Sequence, residues 1–293
     1  MTQRIGVDLG GTKIEVAVLD GSTISYRRRV PTPGTYENIL DAVARLVWDA
    51  ETAMAVRGTV GVGIPGTLSP STGLVKNANS QCLIGHALDQ DLSHLLDREV
   101  RVENDANLFA LSEAADGAGA GHRCVFGVII GTGCGGGVII DGRVLAGRHR
   151  IAGEWGHTPL PWPRGTEYPQ PRCWCGQVGC LELYLSGTGL RADAGGTEPS
   201  TLPGLAAAGD ADATAALERH ADRLARGLAV IMNVLDPDVI VLGGGLSNMG
   251  HLYEQVPALI QKYVFSDVAG TPIVPAQHGD SSGVRGAAWL WPA

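Results

Sequence analysis

The sequence has no surplus of positive charge. Its 293 residues carry a formal net charge of −8. That excludes a nucleic-acid backbone as the main partner, because phosphate chains are bound by excess Lys and Arg. No run approaches the roughly eighteen consecutive apolar residues that a membrane helix needs, so no span is expected. The opening MTQRIGVDLGG shows no charged segment followed by an apolar core. No export signal is therefore expected, and the chain reads as cytoplasmic. Without export, disulfides are not the expected use of the six cysteines, Cys82, Cys124, Cys134, Cys173, Cys175 and Cys180. No linker is long enough to separate independent domains.

What is present is an ordinary globular balance, 44% hydrophobic and 18% charged, with length enough for two domains. Ile5 to Leu9 and Ile14 to Leu19 read as strands around a Gly10-Gly11-Thr12 turn. Val125 to Ile130 reads as a buried strand, Gly131 to Gly137 as a Gly-rich turn, and Val138 to Ile140 as the return strand. One such unit near the start of each half suggests two related domains. Glu37 to Met54 and Leu217 to Leu235 carry apolar stripes at helical spacing, the second ending before Pro237. Val239 to Leu242 is a short buried strand. Strands alternating with helices give an α/β fold class. Ala192 to Ala216, rich in Ala, Gly, Pro and Asp, reads as a loosely ordered connection.

Glycine is abundant, at 42 residues, and much of it is clustered. Gly10-Gly11-Thr12-Lys13 follows Asp8. Glycines let backbone N–H groups face an anion with no Cβ in the way. The order does not fit a P-loop, where Lys precedes Ser or Thr and a helix follows. It does not fit a Rossmann turn either, which also needs a helix. Gly10-Gly11 alone reads best as a hairpin turn. Five glycines between Gly131 and Gly137 exceed what a turn requires, which favours phosphate contact. Gly243-Gly244-Gly245 follows a buried strand, where α/β proteins place nucleotides; alone it could equally serve packing.

These pieces resemble the ROK kinases (repressor, open reading frame, kinase) of the actin-like ATPase superfamily. The matching runs are Asp8–Lys13, Gly63–Gly66, Glu103–Asn107, Gly131–Gly137, Gly153–His157, Cys173–Glu182 and Val239–Gly245, in the family's order over nearly the whole chain. Lys76–Ser80, Trp155–Trp162 and the tail from Asp280 to Pro292 look most like the fructokinase (mannofructokinase) branch, with the N-acetylglucosamine kinase branch next. The resemblance implies two actin-like (ribonuclease H-like) α/β domains with an interdomain cleft: residues 1–116 closed by 280–293, and residues 117–279 with a metal-binding loop. It implies transfer of the γ-phosphate of ATP to a free hexose, with fructose expected first and mannose beside it, and N-acetylglucosamine or N-acetylmannosamine as the alternative. It also implies Mg²⁺, no membrane partner and a homodimer.

By the same resemblance, ATP lies against Asp8, Gly10, Gly11, Thr12, Lys13, Gly131, Thr132, Gly133, Gly243, Gly244 and Gly245, with Asp8 holding Mg²⁺ through water. Asn104, Asp105, Glu154, His157 and Glu182 hydrogen-bond the sugar, and Gly66 and Asn79 match further pocket positions. Carboxylates and amides suit a polyol, since each can pair two hydroxyls. A sugar hydroxyl is a weak nucleophile, and a placed carboxylate can take its proton. Asp105, at the start of a helix read over Ala106 to Ala115, is the candidate base. Asn104-Asp105 on its own could be only a helix cap. Cys173-x-Cys175-x₄-Cys180, sixteen residues after His157, supplies four ligands for a closed tetrahedral zinc site of structural type. The other readings are a sugar-responsive repressor and a sugar-binding module without catalysis. A repressor would need a DNA-binding segment ahead of Asp8, where the sequence leaves no room. The retained Asp105 and glycine clusters argue against lost chemistry.

Overall fold

The computed structural model describes residues 3–78 and 80–292. The chain forms two compact units. One runs to Gly121 and takes in Gly142–Ala152 and the chain from His278 on; the other is His122–Asp141 with Gly153–Gln277.

In the first unit a sheet runs in the order Thr23–Pro31, Lys13–Asp20, Arg4–Leu9, Thr59–Ile64, Val100–Asn104. The first three strands pair antiparallel and the last two run parallel to Arg4–Leu9 and to each other, with Val7 opposite Val62 and Val62 opposite Val102. Ile5, Val7, Leu9, Val60, Val62 and Ile64 are buried, the near-continuous apolar run of strands covered on both faces. Thr23–Pro31 is a strand that hydrophobic patterning does not announce. Its exposed Arg27 and Arg29 both pair with buried Glu15 of the next strand. The helix Tyr36–Met54 starts at Thr35, whose hydroxyl accepts the Asn38 N–H.

Glycine brings the helix Ser282–Trp289 into backbone contact with this sheet. A Cβ on Gly6 would lie 1.9 Å from the Val284 carbonyl oxygen, and one on Gly61 1.9 Å from that of Ala287. Gly286 makes an equally close approach to Leu108 in the helix Asp105–Asp116. The start of that helix is thus fixed against the sheet by contacts no larger residue allows.

The second unit repeats the pattern. Cys134–Ile140 pairs antiparallel with Cys124–Ile130, then Val239–Gly243 and Ile273–Pro275 follow in parallel. The long helix begins at Ala211, not at Leu217, because Asp210 accepts the Ala213 N–H as its cap. The stretch expected to be loosely ordered is folded. It contains the end of the helix Gly187–Asp193, a 3₁₀ turn at Pro199–Thr201 and the helix Leu202–Ala207. Alanine favours helix wherever a cap starts one, and composition alone hides this.

Glu167 is buried at 7% exposure between the guanidinium groups of Arg223 and Arg226. Arg226 also donates to the Pro161 and Trp162 carbonyls at 3.0 and 2.9 Å. The long helix therefore holds the 161–167 loop in place. No helix among the described residues is long and apolar enough to cross a membrane.

Candidate active site

The strand Val100–Asn104 ends where the helix Asp105–Asp116 begins. Asn104 is the cap: its Oδ1 accepts the N–H groups of Ala106 and Asn107 at 2.9 and 3.3 Å. Its Nδ2 donates to the Gly66 carbonyl at 3.2 Å. The capping task thus falls to Asn104, and Asp105 is the first helical residue, its Oδ1 accepting the Ala106 N–H at 2.8 Å. Gly66 has a packing reason of its own, since a Cβ there would lie 2.9 Å from Ala78. Asn79 lies outside the described residues.

Asp8 is the last residue but one of the first strand. Burial, then the charge of Glu15, pushes its carboxyl above the usual range, with Lys13 and Arg29 pulling the other way. The turn beyond closes with the Gly10 N–H donating to the Lys13 carbonyl at 3.0 Å. Thr32 ties it down through its hydroxyl to the Gly10 carbonyl at 2.7 Å and its N–H to the Thr12 carbonyl at 3.0 Å. Gly11, Thr12 and Lys13 stay exposed.

In the second unit Gly131 N–H donates to the Gly133 carbonyl at 3.0 Å, closing the equivalent turn. The return strand starts at Cys134, so the expected turn to Gly137 is too long. Gly135, Gly136 and Gly137 lie within the strand, and Gly136 has a packing cause. A Cβ on Gly136 would meet Trp155 at 2.9 Å and Phe126 at 3.0 Å. Gly153, with φ 93°, lies with its Cβ position 2.4 Å from the Gly136 carbonyl, and that of Gly156 lies 2.0 Å from the Cys134 carbonyl. Trp155 Nε1 donates to the Gly135 carbonyl at 2.9 Å. The glycine run therefore seats the loop that carries exposed Glu154 and half-buried His157.

A cavity of about 510 Å³ opens beside the turn, lined by Gly131, Thr132, Thr188, Arg191, Gly245 and Met249 among others. Gly187 N–H donates to the Gly131 carbonyl at 2.7 Å, fixing one wall. Gly243 ends its strand, buried. A Cβ on Gly244, at φ 83°, would lie 2.5 Å from the Ile130 carbonyl oxygen, while one on Gly245 would face open space. Of that triplet, Gly244 is demanded by packing and Gly245 is spare for a ligand. Thr188 and Arg191 were not foreseen. The only local signal for them is Ser186, which caps their helix by accepting the Gly189 N–H.

His157, Cys173, Cys175 and Cys180 bring their ligand atoms within 4.8 Å of one another. Cys175 and Cys180 sulfurs lie 3.6 Å apart, and Cys173 Sγ lies 3.7 Å from His157 Nδ1. Zinc–sulfur bonds of about 2.3 Å set at the tetrahedral angle give edges of roughly 3.8 Å, so the donor set fits zinc. Burial and the neighbouring thiols of Cys175 and Cys173 push the Cys180 thiol up to about 12, a cost that a central cation reverses. The loop is shaped by Cys173 N–H donating to the Gln177 carbonyl at 2.8 Å and by the positive φ of Gly176 and Gly179.

Glu182 opens the short helix after Cys180. Its Oε2 accepts the Cys134 N–H at 3.1 Å and its Oε1 accepts the indole N–H of Trp174 at 2.8 Å. It therefore joins the metal loop to the strand that follows the Gly131 turn.

The ROK family model matches residues 4–293. An N-acetyl-D-glucosamine kinase of Salmonella gallinarum is 42% identical over 297 residues, covering 97% of this chain and 98% of that protein. The crystal structure of a ROK hexokinase from Thermus thermophilus superposes with a TM-score of 0.87 at 34% identity, covering 98% of this chain and 97% of that one. A ROK glucokinase from Streptomyces griseus, solved with glucose and AMPPNP, gives 0.76 at 30% identity, covering 98% of each chain.

Proposed function

Since the chain belongs to the ROK family and is a sugar kinase, we propose that it phosphorylates N-acetyl-D-glucosamine with ATP, giving the 6-phosphate. The observation that carries this is the 42% identity, over 97% of the chain, to an N-acetyl-D-glucosamine kinase. It outweighs the short runs that pointed first to fructose, because it spans the whole chain.

Asp105 accepts the proton of the sugar hydroxyl as that oxygen bonds to the γ-phosphorus and the bond to ADP breaks. The helix start favours its ionised form. Positioning then matters more than basicity. Asn104, Glu154, His157 and Glu182 hydrogen-bond the hydroxyls, with Gly66 holding the Asn104 amide. Asp8 and the turns at Gly10–Lys13, Gly131–Gly133 and Gly243–Gly245 hold ATP. Mg²⁺, when bound near Asp8, neutralises phosphate charge. His157, Cys173, Cys175 and Cys180 would hold zinc, whose closed shell would order the sugar-binding loop without taking part in the transfer.

The test is a kinetic screen of N-acetylglucosamine, N-acetylmannosamine, glucose, mannose and fructose by ADP release. N-acetylglucosamine is expected to have the highest kcat/KM, by at least about tenfold, the scale on which one lost polar contact discriminates. A higher value for fructose or mannose overturns the assignment.

A further inference from the structure

We infer that Trp174 is a positioning residue for the sugar site, the side chain through which the metal-binding loop sets the orientation of Glu182. The inference rests on the reading of Glu182 as a sugar contact. Trp174 stands between two metal-ligand positions, Cys173 and Cys175, so its backbone is anchored on both sides. Its ring meets His157, a third ligand position, edge-on at 4.9 Å and 87°. Its indole N–H is used on Glu182 Oε1, while Cys134 N–H takes Oε2. Two donors on two oxygens fix the carboxylate plane; one donor leaves it free to swing about its side-chain bonds.

The ring is 71% exposed, so Trp174 does not serve as core. Its polar handle, which a Phe or Leu in the same place lacks, is what the arrangement uses. Release of the metal frees the Cys173–Cys175 segment, withdraws the indole N–H and loosens Glu182. Sugar affinity then falls although the metal touches no substrate atom.

The test uses the metal-loaded protein. Trp174→Phe keeps a ring and loses the donor. It is expected to retain one metal per chain by elemental analysis and to raise the sugar KM about tenfold, the order of one hydrogen bond to a charged group. Both kcat and the KM for ATP should stay within about twofold. Trp174→Phe combined with Glu182→Ala should be no worse than Glu182→Ala alone. Without ATP, sugar should shift the wild-type tryptophan emission and leave that of Trp174→Phe nearly still. If Glu182→Ala leaves the sugar KM unchanged, the sugar-contact reading itself fails. If Glu182→Ala raises the KM but Trp174→Phe does not, or if Trp174→Phe loses its metal, the positioning inference is overturned and the reading of Glu182 stands.

Discussion

Asp105 and Glu182 are both carboxylates at the first position of a helix, and they are held in opposite ways. Asp105 is placed by the backbone of the helix it starts, its Oδ1 accepting the Ala106 N–H. Asn104 caps the helix, and Gly66, packed on Ala78, orients Asn104. Glu182 is placed by donors outside its own helix, the Cys134 N–H across 48 residues and the indole of Trp174 on the loop that carries the cysteines. A local arrangement survives as long as its helix does. A long-range one depends on every element that brings its donors together. A group that moves a proton belongs in the first setting. A group that only binds hydroxyls can sit in the second, where its affinity is adjustable.

The sharpest attack on the first member of the pair is Asp105→Asn. Its amide keeps the shape of the side chain but cannot accept the proton. kcat is expected to fall about 10³-fold, within the range for a lost general base, while sugar affinity by calorimetry changes less than about threefold. Turnover within a few-fold of wild type would remove Asp105 as the base.

Acid attacks the scaffold of the second member. Burial opposes ionisation of Glu167, but hydrogen bonds from Arg226, the Arg164 backbone and Arg223 override it and hold its carboxyl at about 2, against an ordinary 4.5. A depressed pKa stabilises the fold above the ordinary value, and this stabilisation is lost as pH falls from about 4.5 to about 2. The difference amounts to about 3 kcal/mol. Glu167→Gln should lower Tm at pH 7 by removing the carboxylate that Arg223 and Arg226 share, leaving them only Asp193 and Asp222 as charged partners. It should also flatten the fall in stability between pH 5 and 3, read by calorimetry. An unchanged acid limb would deny Glu167 this role.

The same contrast explains what was legible in the sequence. Asp8, Gly10–Lys13, Asn104, Asp105 and the cysteine–histidine set stand in short runs that the family resemblance singles out, and the structure brings the cysteine–histidine set together. The α/β order followed from strand and helix periods. Trp174, Thr188 and Arg191 were not legible, since the indole's partner and the cavity wall are set by the fold, and neither the cysteines flanking Trp174 nor the Ser186 cap announces them. The glycines of 135–137 read as turn and fold as strand, because pairing with Cys124–Ile130 and the close approach of Gly136 to Gly153 and Trp155 are tertiary facts. Substrate identity was least legible, because short runs near the pocket pointed to fructose while the chain as a whole is 42% identical to an N-acetyl-D-glucosamine kinase.

The smallest expected effect separates the pair most cleanly. Stripping the metal with a strong chelator, or Cys175→Ser, removes the anchor of the 173–180 loop and leaves the Asn104 cap untouched. The KM for sugar should rise about tenfold, as when a charged hydrogen bond is lost, with kcat at saturating sugar reduced far less. Zinc added back to the chelated protein should restore the wild-type KM, and Cys175→Ser should resist that rescue. If kcat collapses along with KM, Asp105 depends on the metal loop after all, and the division between a locally held base and a remotely held sugar contact does not describe this enzyme.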